Sequence, residues 1–227
     1  MIQEHVVGFI VDLLKDGTAV IKAKIPNIEQ ALRRGFLKVE IILWDGRRIS
    51  PEQRRKCYAL LGEIAEYTDG IRTAETVDEQ KRLLKMEFML KRMEATERRM
   101  FSLADCDMST AREFITYLID FIIANDIPTR VPLIDNCDDI AAYMYACTMH
   151  RKCAVCGKAA DIHHCEGSRI GAGVDRAKVH QLGREVLPLC RVHHTECHSD
   201  EAGFIKKYHL QKVKLDEPLC KRLKLRR

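Results

Sequence analysis

Two cysteine-containing pairs and a set of histidines in the last third of the chain have the types and spacing for metal chemistry. Cys153-Ala154-Val155-Cys156-Gly157 puts two thiols one turn apart, ahead of a glycine that permits a sharp reversal. Cys190-Arg191-Val192-His193 repeats the spacing 34 positions after Cys156. Tetrahedral zinc takes four nitrogen or sulfur ligands, so Cys153, Cys156, Cys190 and His193 form a candidate structural zinc set. Further histidines remain: His163 and His164 after the apolar Ile162, then His194 and His198. The i,i+4 spacing puts His194 and His198 on one face of a helix, able to hold the same ion. Neighbouring strand residues point to opposite faces. One of His163 and His164 is therefore a ligand, and the other has a different task.

Cys153-x-x-Cys156, Ile162-His163-His164 and Val186-Leu187-Pro188-Leu189-Cys190-Arg191-Val192-His193-His194 together resemble an HNH (ββα-metal) endonuclease in its zinc-ribbon form. The spacing of His194 and His198 resembles that of the colicin-type nucleases. The resemblance implies a hairpin followed by a helix, clamped around one ion and acting on a phosphodiester. It also implies that His163, His194 and His198 bind the catalytic ion and that His164 is the general base. A neutral imidazole is able to take a proton from water near neutral pH. A metal ion at such a site offsets the charge that develops as the phosphodiester bond breaks. The expected cofactors are a structural Zn²⁺ and one divalent catalytic ion, Mn²⁺, Ni²⁺, Zn²⁺ or Mg²⁺. All-imidazole coordination favours manganese or nickel over magnesium, which prefers oxygen ligands. One departure concerns the asparagine that the family places just before the second strand. Here that position reads Gly183-Arg184-Glu185, and no asparagine follows Asn136. His180, Gln181 or a backbone carbonyl is left to orient His164; without such a group, cleavage would be slow or absent.

Charge points the same way as the ligands. From His150 to Arg227 there are 17 Lys and Arg against 9 Asp and Glu, while the remainder carries 21 against 24. Eight of the nine histidines and seven of the ten cysteines lie at or beyond Cys147. A basic, ligand-dense segment suits a polyanion, and DNA is the expected partner. Arg169, Arg176 and Arg184 are candidates for phosphate contact near the site, with Arg54 and Arg55 further upstream; for each, a solvated surface charge is the plain alternative. No apolar run approaches the length of a membrane span. The first fifteen residues mix Glu4, His5 and Asp12 into their apolar positions and lack the pattern of a signal peptide. A cytoplasmic protein is expected, its cysteines serving as thiols or metal ligands rather than disulfides.

These residues must be positioned by an α+β chain with an N-terminal small antiparallel sheet and long helices, followed by a zinc-bound ββα-metal domain. Val6 to Leu14 and Ala19 to Ile25 flank Asp16-Gly17 and read as a hairpin. Pro26 to Arg34 reads as a short helix closed by Gly35, and Phe36 to Trp44 as a third strand. Ser50-Pro51-Glu52-Gln53 is a capping box with proline at the first helical position, opening a helix that ends near Gly70. A second long helix is predicted from Val77 to about Met100, and a third from a capping box at Thr110 to Glu113, stopped by Pro128. Pro128 to Pro132 reads as a break, which divides the chain into residues 1–132 and 133–227, with a helix from Cys137 to Met149 leading into the second part.

Ile49 to Lys56 with the helix that follows, and Met108 to Ile122, resemble the Orf-type recombination mediators of lambdoid phages. That likeness implies a phage protein that prefers single-stranded DNA, contacts the host single-strand-binding protein and forms a homodimer through its N-terminal part. Two other classes of function compete: a DNA-binding adaptor that keeps the zinc-bound fold but does not cut, and a zinc-stabilised protein-interaction module.

Overall fold

The structure, a computed structural model, describes residues 8–25, 28–33, 35, 46–92, 100–171 and 179–226. It is of mixed α+β class and separates into two compact units, Met1–Trp44 and Asp45–Arg227.

In the first unit, strands β1 (Gly8–Leu13) and β2 (Ala19–Ala23) pair antiparallel, with Gly8 opposite Ala23 and Leu13 opposite Ala19. The turn between them forms because Gly17 adopts a φ of 86°, open to glycine without strain, and because Asp16 Oδ1 accepts from the Thr18 N–H at 2.9 Å. A short helix, α1 (Ile28–Arg33), follows, and Gly35 has a φ of 66°. The third strand expected over 36–44 lies outside the described residues.

The second unit begins with α2 (Pro51–Asp69), whose start shows the expected capping box. Ser50 Oγ accepts from the Gln53 N–H at 3.0 Å, Gln53 Oε1 accepts from the Ser50 N–H at 3.2 Å, and Gly70 closes the helix in the left-handed region. Helix α3 (Ala74–Arg92) follows; residues 93–99 of its predicted extent lie outside the described residues. Helix α4 (Met108–Ala124) begins two residues before the expected Thr110. The reason is Asp107, whose carboxylate accepts from both the backbone N–H and the hydroxyl of Thr110 at 2.7 Å and so takes the capping role earlier. Apolar faces of α2, α3 and α4 meet around Phe114, which has no solvent exposure and packs edge-on against Phe88 and Phe101.

A single turn, α5 (Leu133–Asn136), and then α6 (Ile140–Met149), capped by Asp139, carry the chain onward. The helix expected from Cys137 is thus shorter, because Asp139 accepts from Ala142 N–H and sets the start there. Strands β3 (Asp161–His164), β4 (Glu185–Leu189) and β5 (Val213–Lys214) form an antiparallel sheet in the order β3-β4-β5. Helices α7 (Arg191–Ser199), α8 (Glu201–Lys207) and α9 (Glu217–Leu223) complete the unit. The compact units do not divide at position 132. Helix α6 touches α4 on one side and β4, β5 and α9 on the other, so that Phe114, Met144, Leu187 and Leu215 belong to one buried cluster. The Tyr143 hydroxyl extends that connection by donating to the Ala154 carbonyl at 2.8 Å.

None of the helices described is long and apolar enough to cross a membrane. Because the core is continuous through α6, Phe114→Ala should cost about 3–5 kcal/mol of stability. It should also lower hydrogen-exchange protection in β4, far from the substitution in sequence. Undiminished β4 protection would show that the two ends of this unit unfold independently.

Candidate metal centres and active site

The knuckle at Cys153 is shaped by backbone bonds. Gly157 adopts a φ of 70°, its N–H donates to the Cys153 carbonyl at 2.8 Å, and the Cys153 N–H donates to the Lys158 carbonyl at 2.7 Å. The Ala154 N–H then donates to the Pro188 carbonyl at 3.0 Å, which seats the knuckle against the end of β4. The second half of the set arises where β4 ends. Cys190 is the N-cap of α7, and His193 lies in the helix's first turn. Cys153 Sγ is 3.4 Å and Cys190 Sγ 3.2 Å from His193 Nδ1, and Cys156 Sγ is 3.7 Å from Cys190 Sγ. These separations lie at or a few tenths of an ångström inside the edges of roughly 3.5–3.8 Å that bonds of about 2.3 Å to sulfur and about 2.0 Å to nitrogen give a tetrahedral zinc site. Burial pushes the Cys190 thiol up, but the N–H of His193 and the adjacent cysteines outweigh it, and the net shift is downward, toward the ligating thiolate. All four donor atoms lie within 4.8 Å of one another.

A second cluster lies on the other side of α7. His163 on β3 meets His194 and His198, with ring centroids 4.8 and 4.7 Å apart, while His194 and His198 stack at 4.8 Å. One nitrogen of each ring falls within 4.8 Å of the others. His163 is 1% exposed, and neither ring nitrogen has a hydrogen-bond partner. A buried imidazole in that condition is costly unless something binds it, so the donor set fits a divalent ion. Burial, and next the neighbouring His194, bring the His163 pKa down to about 4, which keeps the ring in its neutral, ligating form. The cluster passes from buried at His163 to exposed at His198.

His164, the next residue of β3, turns away from this cluster. Its Nε2 is 2.7 Å from Oε1 of Gln181, a residue with no solvent exposure. An amide oxygen only accepts, so this contact puts the proton on Nε2 and the basic lone pair on Nδ1. Gln181 is itself fixed at both ends: its N–H donates to the Arg226 carbonyl at 2.9 Å and its carbonyl accepts from the Arg184 N–H at 3.1 Å. Of the groups left to steady His164, the structure thus brings up Gln181.

The five arginines proposed for phosphate contact fall in different settings. Arg169, with half its side chain exposed, lies beside the histidine cluster, 3.9 Å from Glu201. Arg184 donates to the His180 and Ser168 carbonyls, at 2.8 and 2.9 Å, and so braces the loops around Gln181. Arg54 donates to the Leu103 and Ala104 carbonyls, tying α2 to the segment before α4. Arg55 is exposed on α2, and Arg176 lies outside the described residues. Sequence reasoning missed Glu201, whose carboxylate stands 3.5 Å from His163 Nε2. Its neighbours Asp200 and Ala202 mark only a helix start, and no periodicity connects it to position 163. If the cysteine set holds zinc, protein purified without added metal should retain about one tightly bound zinc ion. Cys153→Ser should abolish that zinc and lower the melting temperature, as read by elemental analysis and calorimetry.

Comparison with known proteins places this geometry. A family model described as "Putative HNHc nuclease" matches residues 23–226, most of the chain. A 57-residue stretch is 49% identical to the "Uncharacterized protein YdfU" of Escherichia coli (strain K12), covering 25% of this chain and 15% of that protein. This chain thus spans only a small part of that relative's length. No solved structure matches. With both donor sets and the strand-to-helix arrangement inside the matched residues, the chain belongs to the HNHc nuclease family.

Proposed function

We propose that this protein is a metal-dependent endonuclease that hydrolyses phosphodiester bonds in DNA. The observation that carries the proposal is the pair of adjacent β3 histidines with divided tasks. His163 faces His194 and His198, while His164 faces Gln181. In this reading His163, His194 and His198 hold the catalytic ion, and Cys153, Cys156, Cys190 and His193 hold a structural zinc.

When bound, the catalytic ion supplies Lewis-acid stabilisation of the charge that grows on the phosphate and on the leaving 3′ oxygen. His164 takes a proton from water at Nδ1 as the water oxygen attacks phosphorus and the bond to the 3′ oxygen breaks. Gln181 holds the ring in the tautomer and direction that this transfer needs, the task the family gives to its asparagine. Arg169, 3.9 Å from Glu201 and half exposed, would meet a phosphate at the cluster's edge. Three imidazoles, with no carboxylate in the cluster among the described residues, favour nickel or zinc over magnesium.

The non-cleaving adaptor reading starts from the missing asparagine; against it, the His164–Gln181 contact offers another amide to hold the ring. The Orf-like reading of the N-terminal part, with its preference for single strands, its host single-strand-binding partner and its homodimer, rests on helix patterns at 49–56 and 108–122. The same residues fall within the HNHc family match, whose description names no recombination role. A protein-interaction module would bind DNA weakly or without the steep loss of affinity in salt that phosphate contacts produce.

The decisive measurement is nicking of plasmid and single-stranded DNA across several divalent metals. His164→Ala should lower the rate by about 10²–10⁴-fold. Gln181→Ala should lower it by roughly 10–100-fold, as loss of an orienting partner does. Equal rates for wild type and His164→Ala, or no cleavage with any metal, would remove the catalytic role of His164.

A further inference from the structure

The histidine cluster brings three neutral rings to a dication and no negative charge. A carboxylate nonetheless stands directly behind one of those rings. Glu201, the first residue of α8, has a side chain only 6% exposed, and its Oε2 lies 3.5 Å from Nε2 of His163. The same oxygen accepts from the Glu166 N–H at 2.8 Å and has Arg169 at 3.9 Å, while Oε1 pairs with Lys212 at 2.9 Å. Burying a carboxylate is unfavourable unless it is paired and hydrogen-bonded, and these groups do that. They also fix its direction, and in that direction Oε2 stands 3.5 Å from Nε2 of a ring whose two nitrogens are buried and have no hydrogen bond satisfying them. An imidazole that gives one nitrogen to an ion must place the N–H of the other somewhere, and a carboxylate is the acceptor that most strengthens the ligand. Glu201 is not among the described residues whose donor atoms cluster with His194 and His198, and its contact with that cluster is through His163.

We propose that Glu201 is the positioning residue of the catalytic metal site. Its carboxylate accepts the Nε2–H of His163, locks the ring's tautomer and direction, and leaves Nδ1 for the ion shared with His194 and His198. The negative charge that the three imidazoles lack is thereby supplied through the His163 ring, from the side opposite the ion. This inference rests on the reading of the histidine cluster as a metal site.

The test uses the full chain with its cysteine-bound zinc retained. Cobalt(II) is titrated into the histidine cluster and followed by visible absorption and calorimetry for wild type, Glu201→Gln and Glu201→Asp. Glutamine keeps the volume and an oxygen for the Glu166 N–H but loses the charge. It should weaken cobalt binding by about 10–100-fold, with zinc content and the melting temperature of the cobalt-free protein little changed. Aspartate keeps the charge at shorter reach and should recover part of the affinity. In parallel, nitrogen-15 spectra of the imidazoles, with zinc in the histidine cluster, should show His163 protonated at Nε2. If wild type binds no ion beyond the structural zinc, the reading of the cluster and this inference fall together. If wild type binds cobalt but Glu201→Gln binds it equally well, or if His163 carries its proton on Nδ1, this inference alone falls.

Discussion

Helix α7 serves two clusters at once, and its rotation about its own axis is the quantity on which both depend. Consecutive helical residues are about 100° apart, so His193 and His194 necessarily look in different directions. His193 turns toward the three cysteines, and His194, with His198 a turn later, toward His163. Cys190 belongs to the first cluster and is also the N-cap that starts the helix. Whatever closes the cysteine cluster therefore sets where α7 begins, its rotation, and the spacing of the second cluster. The short sheet adds the remaining reference point, because the β3–β4 pairing puts His163 opposite Leu187, three residues before Cys190.

Such an arrangement explains why so small a sheet can hold a chemically demanding site. Its strands are four, five and two residues long, too short for independent stability. The sheet instead rests on α6, whose apolar surface extends the core of α2 to α4 beneath β4. The rigidity available to the histidines is thus drawn from helices that lie far ahead of them in the chain.

The local features were legible in the sequence, and the long-range ones were not. Thiols and imidazoles at fixed spacing announce themselves, since a knuckle and an i,i+4 pair are defined within a few residues. The helix start at Ser50 was equally plain, because both halves of its capping box are adjacent. Thr110 to Glu113 had the same appearance, yet Asp107 competes for the same N–H and is the stronger acceptor, which moves the start of α4. Pro128 to Pro132 had the composition of a linker, but composition does not report that apolar faces on either side of it meet. Gln181 stood among three candidates for steadying His164, since nothing in a 17-residue separation specifies a hydrogen bond. Glu201 left no trace at all, because its significance comes from a contact with a residue 38 positions away.

The bond between Gln181 and the Arg226 carbonyl has a consequence for the order in which the chain is made. Both metal-ligand sets are complete in the nascent polypeptide once His198 has been added. The anchor that holds Gln181, and through it His164, arrives 28 residues later. During synthesis, the two clusters of donor residues therefore precede the group that holds Gln181 against His164. Under the proposed nuclease function, that order delays competence until residue 226 has been joined.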